Sequence, residues 1–452
     1  MSSLEAIELV DRIWDRDPTV WTGSDEGHWL GWLDEPGRML ERVEELERLE
    51  RDFDDVVLLG MGGSSLAPEV IRRTFASTGL HVLDTTHPSA IRRLEDQLDL
   101  GRTLFVAASK SGTTLETRSQ LDYFLDRGGG ASFAAITDPG TELEQYAGAK
   151  DFVWVVHGEP TIGGRYSALS PFGMVPAALI DLDVQALLER ADAMAGWCRL
   201  GDENPGFQFG LELGENWTEG RDKVCIDETP GGFGLWAEQL IAESTGKQGK
   251  GLVPAPGESP GSGSDRQHGR VRLDDPYDLG AEFYRWEFAT AVAGSILGIN
   301  PFNQPDVQAA KDRTAAILSS SHDPGPGPGT GPEGSVEELL AGAEPPQYIA
   351  IQAFIDPERE GELDPLVMRA RETGCVVTKG LGPRYLHSTG QLHKGGPNSV
   401  LAIQVVDDFG EELAIPGRDF GFRQLIAAQA AGDLESLKER GRKVCRVRLE
   451  QL

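Results

Sequence analysis

The chain has 452 residues, with 42 Lys and Arg against 73 Asp and Glu, a formal net charge of −31 and a hydrophobic content of 39%. That length allows two or three domains with sizeable cores, and the charge disfavours nucleic acid and anionic membranes as partners. No apolar run approaches the roughly 20 residues of a membrane span. Cys198, Cys225, Cys375 and Cys445 are too scattered to suggest a disulfide framework or a zinc site.

The opening MSSLEAIELVDRIWDRD is acidic and helical in pattern, unlike a signal or transit peptide. It begins an expected helical segment over 1–50. From residue 55 short apolar runs at 56–59, 81–83, 104–108, 133–136 and 152–156 alternate with helical patterns at 67–75, 89–98, 115–125 and 142–147. Strands alternating with helices make a parallel sheet, and near-continuous apolar strands fit a sheet covered on both faces. The expectation is a doubly wound α/β domain over 51–180, with ligands at the carboxyl ends of its strands. A second such domain is expected over 181–320. Its helices fall at 184–197, 235–244, 282–297 and 307–318, and its strands at 223–226 and 252–253. The Gly/Pro/Ser-rich stretch 257–269 reads as a long mobile loop and 321–345 as a linker. Residues 346–452 form a C-terminal α/β extension, with strands at 348–351, 375–377, 400–403 and 444–447.

Four loops carry the chemistry. In LLGMGGSSLAPEV, from Leu58, the residues Gly60, Gly62 and Gly63 let backbone N–H groups approach a ligand, and Ser64 and Ser65 add hydroxyls. The G-x-G-x-x-G fingerprint fails because Ser65 takes the third glycine's place, although Asp84 ends the next strand where a ribose partner would sit. SKSGTTLET, from Ser109, has a capping-box spacing at Thr113 and Glu116, which leaves Ser109, Lys110, Ser111 and Thr114 to be explained. They crowd a helix N-terminus, whose free N–H groups favour a phosphate, and without a Walker motif the ligand is a phosphomonoester on a small molecule. TIGGRYSALS, from Thr161, delivers Arg165 on a tight turn. WAEQLIAESTGK, from Trp236, ends a helix at Glu243, where the dipole disfavours a carboxylate and so suits a general base, with Glu238 as the competing candidate.

These stretches, in this order and joined by GINPFNQPDVQAAK from Gly298, resemble the phosphoglucose isomerase family. The likeness is greatest to the isomerase half of fused transaldolase/glucose-6-phosphate isomerases. The resemblance implies two sugar-isomerase-type α/β domains that interconvert glucose 6-phosphate and fructose 6-phosphate through a cis-enediol. It implies Glu243 as the base, Arg165 as the stabiliser of enediolate charge and Lys311 as an aid to ring opening. Gly63, Ser64, Ser109, Lys110, Ser111, Thr114 and Gln239 would hold the substrate. It further implies no metal or organic cofactor and a homodimer, while the scattered cysteines and the acidic N-terminus make a reduced, cytoplasmic enzyme the simplest expectation.

The order of one element departs from the family. Its ring-opening histidine normally falls between the glutamate and the lysine, where this chain has only His268. GPRYLHSTGQLHKGGPN, from Gly382, resembles the displaced element, with His387 the better match and His393 the alternative. The third block must then fold back over the cleft of its own chain or of a partner, and be separable by truncation. The rival readings are a non-catalytic phosphosugar-binding module, a nucleotide-dependent oxidoreductase, and an isomerase that also takes mannose 6-phosphate.

Overall fold

The computed structural model describes residues 3–49, 52–128, 130–201, 203–261, 263–306, 308–319 and 333–452. The first sheet is built from β1 (Asp55–Gly60), β2 (Leu80–Leu83), β3 (Thr103–Ala108), β4 (Ser132–Thr137) and β5 (Trp154–His157). All are parallel in the order β2-β1-β3-β4-β5. Every residue of β3 is buried, as a central strand with helices on both faces requires. The order reverses between β1 and β3, and the crevice outside the strand ends at such a switch point is where ligands bind.

A second, smaller sheet holds β6 (Lys223–Ile226), β7 (Val253–Pro256) and β8 (Arg266–Gly269), in the order β7-β6-β8. The stretch expected to be a mobile loop therefore ends as a strand, and His268 is part of it. The third sheet holds β9 (Tyr348–Phe354), β10 (Val376–Leu381), β11 (Val400–Val406) and β12 (Lys443–Arg448), all parallel in the order β10-β9-β11-β12.

The third block is no detached extension. Cys225, Ala242, Val253 and Ala255 of the second unit share one buried cluster with Tyr348, Ala350, Val376 and Leu392. Arg384 reaches Asp84 with two hydrogen bonds, of 2.6 and 2.9 Å, joining the third block to the first sheet. The acid that a ribose would have needed is thus an ion-pair partner. Breaking such a largely buried pair by removing one member costs about 3–5 kcal/mol.

The sequence-based expectation lacks several helices, among them Val336–Ala341, which lies within the stretch expected to be a linker, and three of nine residues or more. Pro171–Leu179 is buried all round, so no amphipathic stripe marks it. Pro205–Thr218 is capped by Asn204, whose Oδ1 accepts from Phe207 N. Its Gly206, Gly210 and Gly214 bring it against the long Asp278–Leu297 helix: side chains there would strike Phe288, Ala289 and Ile296. Phe422–Glu439 is the third. The N-terminal segment packs on this layer, with Trp21 Nε1 donating to Ala291 O and Trp14 Nε1 to Cys198 O. Among the described residues no helix is long and apolar enough to cross a membrane.

Candidate active site

The loops that follow β1, β3, β4 and β5 converge on one cavity of about 540 Å³. Gly62, Gly63 and Ser64 line it from the first loop, Lys110, Ser111 and Thr114 from the second, and Arg165 from the loop after β5. Gln239 and Glu243 enter from the Gly234–Thr245 helix, and His387 from the short turn after β10. The sequence motifs, spread over most of the chain, thus meet at the carboxyl ends of parallel strands.

The first loop has little choice of residue. Gly62 adopts φ +56°, and a Cβ there would lie 2.7 Å from His387 O. A Cβ on Gly63 would lie 2.0 Å from Gly164 O, so glycine lets three loops close on one another.

The hydroxyl-rich turn divides its labour. Ser109 is buried and its Oγ accepts from Gly112 N at 3.2 Å and meets Thr114 Oγ1 at 3.0 Å, so it braces the turn and does not line the cavity. Ser111 is exposed toward the cavity. Lys110 Nζ donates to Asp138 Oδ1 at 2.7 Å and Glu159 O at 2.9 Å. Burial pushes this ammonium below its ordinary value, opposed by Asp138. The expected capping box is absent. Thr114 is the N-cap of the Leu115–Arg127 helix with no side-chain cap bond, and Glu116 turns away to accept from Gln429 and pair with His387. The helix N-terminus therefore keeps N–H groups for an anion.

Arg165 is 2% exposed, and four of its five N–H groups are engaged. Its Nε donates to Ser244 Oγ at 2.8 Å, its Nη1 to Gln304 Oε1 at 2.8 Å, and its Nη2 to Pro301 O and Asn303 O at 2.8 and 3.0 Å. Nη1 also lies 3.6 Å from Glu243 Oε1. Glu243 Oε2 accepts from Gln239 Nε2 at 3.0 Å, and the same amide donates to His387 O at 2.8 Å. The carboxylate, the guanidinium and the third block are locked in one chain of contacts.

Of the two histidines, His387 is the one at the cavity. Its Nε2 lies 2.9 Å from Glu116 Oε1, which makes Nε2–H the donor and leaves Nδ1 without a hydrogen bond among the described residues. His393 is buried between Tyr348 and Thr389, and burial pushes it down to about 3, so it is a neutral packing residue. His387 comes from the same chain. His268 pairs with Asp227 and lines a different cavity. Glu238 faces another cavity, of about 470 Å³, on the far side of its helix. The Gln308–Ser319 helix carries Lys311, whose side chain lies outside the described residues.

Sequence reasoning missed several participants. Glu116 was assigned to a cap, although its charge is what orients His387. Ser244, Asn303 and Gln304 hold Arg165 or line the cavity, and their only sequence signal is membership of the motifs around Glu243 and Gly298. Trp29 lines the cavity from the N-terminal segment, with nothing in its surroundings to mark it.

Residues 47–199 match the family model described as phosphoglucose isomerase. A probable glucose-6-phosphate isomerase of Methanococcus maripaludis is 28% identical over 279 residues, 57% of this chain and 62% of that protein. The glucose-6-phosphate isomerase of Thermus thermophilus is 36% identical over 177 residues, 36% of this chain and 42% of that one. A crystal structure of a glucose-6-phosphate isomerase from Chlamydia trachomatis aligns over 69% of this chain and 77% of its own, with a TM-score of 0.51 and 19% identity, a likeness of fold. The chain spans less than two thirds of the length of the curated relatives it matches first. The likeness to phosphoglucose isomerases is thus that of residues 47–199, the segment that holds the first sheet.

Proposed function

We propose that the protein is a glucose-6-phosphate isomerase, which interconverts glucose 6-phosphate and fructose 6-phosphate by proton transfer through a cis-enediol. The observation that carries this is one cavity lined by Glu243, Arg165 and His387 together with the turn Lys110, Ser111 and Thr114. An open helix N-terminus and hydroxyls suit the 6-phosphate. Glu243 takes the proton from C2 of the open-chain aldose and returns it to C1, and Gln239 holds that carboxylate. Arg165 stands 3.6 Å from the base, where the enediolate charge develops. Positive charge pre-placed at such a point is usually a large catalytic term, worth roughly 3–4 kcal/mol per donor in comparable sites. His387, oriented by Glu116, takes the O1 hydroxyl proton on Nδ1 and passes it to the ring oxygen O5, which opens the sugar.

A non-catalytic phosphosugar module has no use for a carboxylate and a guanidinium facing each other beside the phosphate turn. The reading extends to a cytoplasmic homodimer that needs no metal or organic cofactor, all of which remain proposals. The test is a coupled assay of glucose 6-phosphate formation from fructose 6-phosphate with a chelator present, with mannose 6-phosphate as a second substrate. Glu243→Gln keeps the side-chain shape but cannot accept a proton. It is expected to lose at least about tenfold in kcat, or 1.4 kcal/mol, while phosphosugar binding persists. A variant that turns over like the wild type removes Glu243 from the mechanism.

A further inference from the structure

We propose that Lys247 is a positioning residue, whose ammonium anchors segment 300–304 and through it sets the Arg165 guanidinium for catalysis. This rests on the isomerase reading above. Lys247 closes the motif that begins at Glu243, yet nothing in the reaction as derived uses it. It is 1% exposed. Its Nζ donates to Asn300 O at 2.8 Å, to Asn303 Oδ1 at 3.0 Å and to Asn303 O. Those acceptors occupy all three N–H donors of an ammonium.

Arg165 holds the same segment from the other side, through Pro301 O, Asn303 O and Gln304 Oε1. The Asn303 carbonyl is shared by the two cations. Asn300 completes the segment, since its Oδ1 accepts from Phe302 N at 2.9 Å and from Asn303 N at 3.3 Å. Its Nδ2 donates to Asp25 Oδ1 at 2.8 Å, tying the N-terminal segment to the site. The carbonyls therefore turn inward around a pair of buried positive groups. Without Lys247, Asn300 O and Asn303 Oδ1 would lose their donor, Asn303 O would keep only that of Arg165, and the segment would lose its reason to hold that shape.

Bulk stability does not account for such a residue. Burial, and after it the charge of Arg165, lowers the pKa of this ammonium, with Glu243 and Asp306 opposing, and the three oxygen acceptors around Nζ favour the protonated form, which alone supplies three donors. An apolar side chain of similar volume would avoid that desolvation cost. The return on it is precision at Arg165, because a catalytic group displaced by about 1 Å can lose some 10²-fold in rate.

The experiment measures kcat and KM for fructose 6-phosphate in the full chain, for wild type, Lys247→Met, Arg165→Met and the double variant. Lys247→Met is expected to lower kcat about 10²-fold with KM within about threefold, because the phosphate turn lies on a different loop. If Lys247 acts through Arg165, the double variant is slower than Arg165→Met by no more than about twofold. A purely packing role would instead multiply the two losses. Should Lys247→Met fail to fold, Lys247→Gln keeps length and two donors and is expected to show the same kcat loss at smaller amplitude. Wild-type kcat in Lys247→Met or Lys247→Gln, or multiplicative losses in the double variant, overturns the inference. A wild-type chain inactive on fructose 6-phosphate sinks the isomerase reading and this inference together, an outcome recognisable without any variant.

Discussion

Glu238 and Glu243 share one helix and meet opposite surroundings. Glu243 has Gln239 and Arg165 beside it. Glu238 is 6% exposed, has no hydrogen-bond or ion-pair partner among the described residues, and is pushed by burial from 4.5 up to about 8. Between those two values the unfolded chain has released a proton that the folded chain retains, so this residue lowers stability as pH rises through that window. Glu238→Gln removes the slope. Its Tm relative to wild type is expected to rise from about pH 5 to about pH 8, with kcat unchanged, as calorimetry and the coupled assay would show. A loss of turnover would make Glu238 the base. The histidines divide in the same way. His387→Ala is expected to run slowly on cyclic glucose 6-phosphate while still exchanging the C2 proton of open-chain sugar, which NMR in heavy water detects. His393→Ala is expected to keep the rate and lose about 1–3 kcal/mol of stability, because Tyr348 Oη is left buried without its partner.

At the level of the element, the turn after β3 is a scaffold wearing a binding surface. Ser109 supports Gly112 and Thr114 from beneath, and Ser111 and Thr114 face the cavity. Ser109→Ala with Thr114→Ala is expected to weaken inhibition by inorganic phosphate by about 1–3 kcal/mol, the usual worth of hydrogen bonds to a charged group. Titration of the isomerase rate with phosphate measures it. An unchanged inhibition constant and KM would make the turn a helix start only. The capping box shows why local rules stop here. Thr113 and Glu116 have the right spacing, but Glu116 finds Gln429 and His387 on the third block, and two hydrogen bonds to its carboxylate outweigh a cap of about 1 kcal/mol.

Across the whole molecule, the third block both supplies His387 and covers part of the second unit's core. Tyr348, Ala350 and Val376 lie on Cys225, Val253 and Ala255. Uncovering such side chains costs roughly 1.5–3 kcal/mol for each large one, several of which exceed typical domain stability. A chain ending at Ser319 is therefore expected to lose its cooperative thermal transition in circular dichroism, not to persist as a folded enzyme lacking one histidine. A sharp melt from that truncation would restore the picture of a separable extension. His387→Ala is the cleaner probe of ring opening.

The strands of the first and third sheets were legible in the sequence because an apolar run bounded by glycine and polar turns is a local signal, and in the first sheet the parallel order follows from helices between strands. The hydroxyl turn, Arg165 and Glu243 were legible for a similar reason, since each must sit on a stretch whose spacing meets a backbone need. The helix Pro171–Leu179, buried on every side, has no periodicity to read. The choice between His387 and His393 and the use of Glu116 could not be read locally either. They depend on which surfaces from distant segments come to lie within 3 Å, and hydrogen bonds across hundreds of residues leave no trace in spacing. Sequence alone determined the chemistry available at the carboxyl ends of the strands. Tertiary structure decided which of those groups meet, because only packing sets the distances over which a proton or a charge can act.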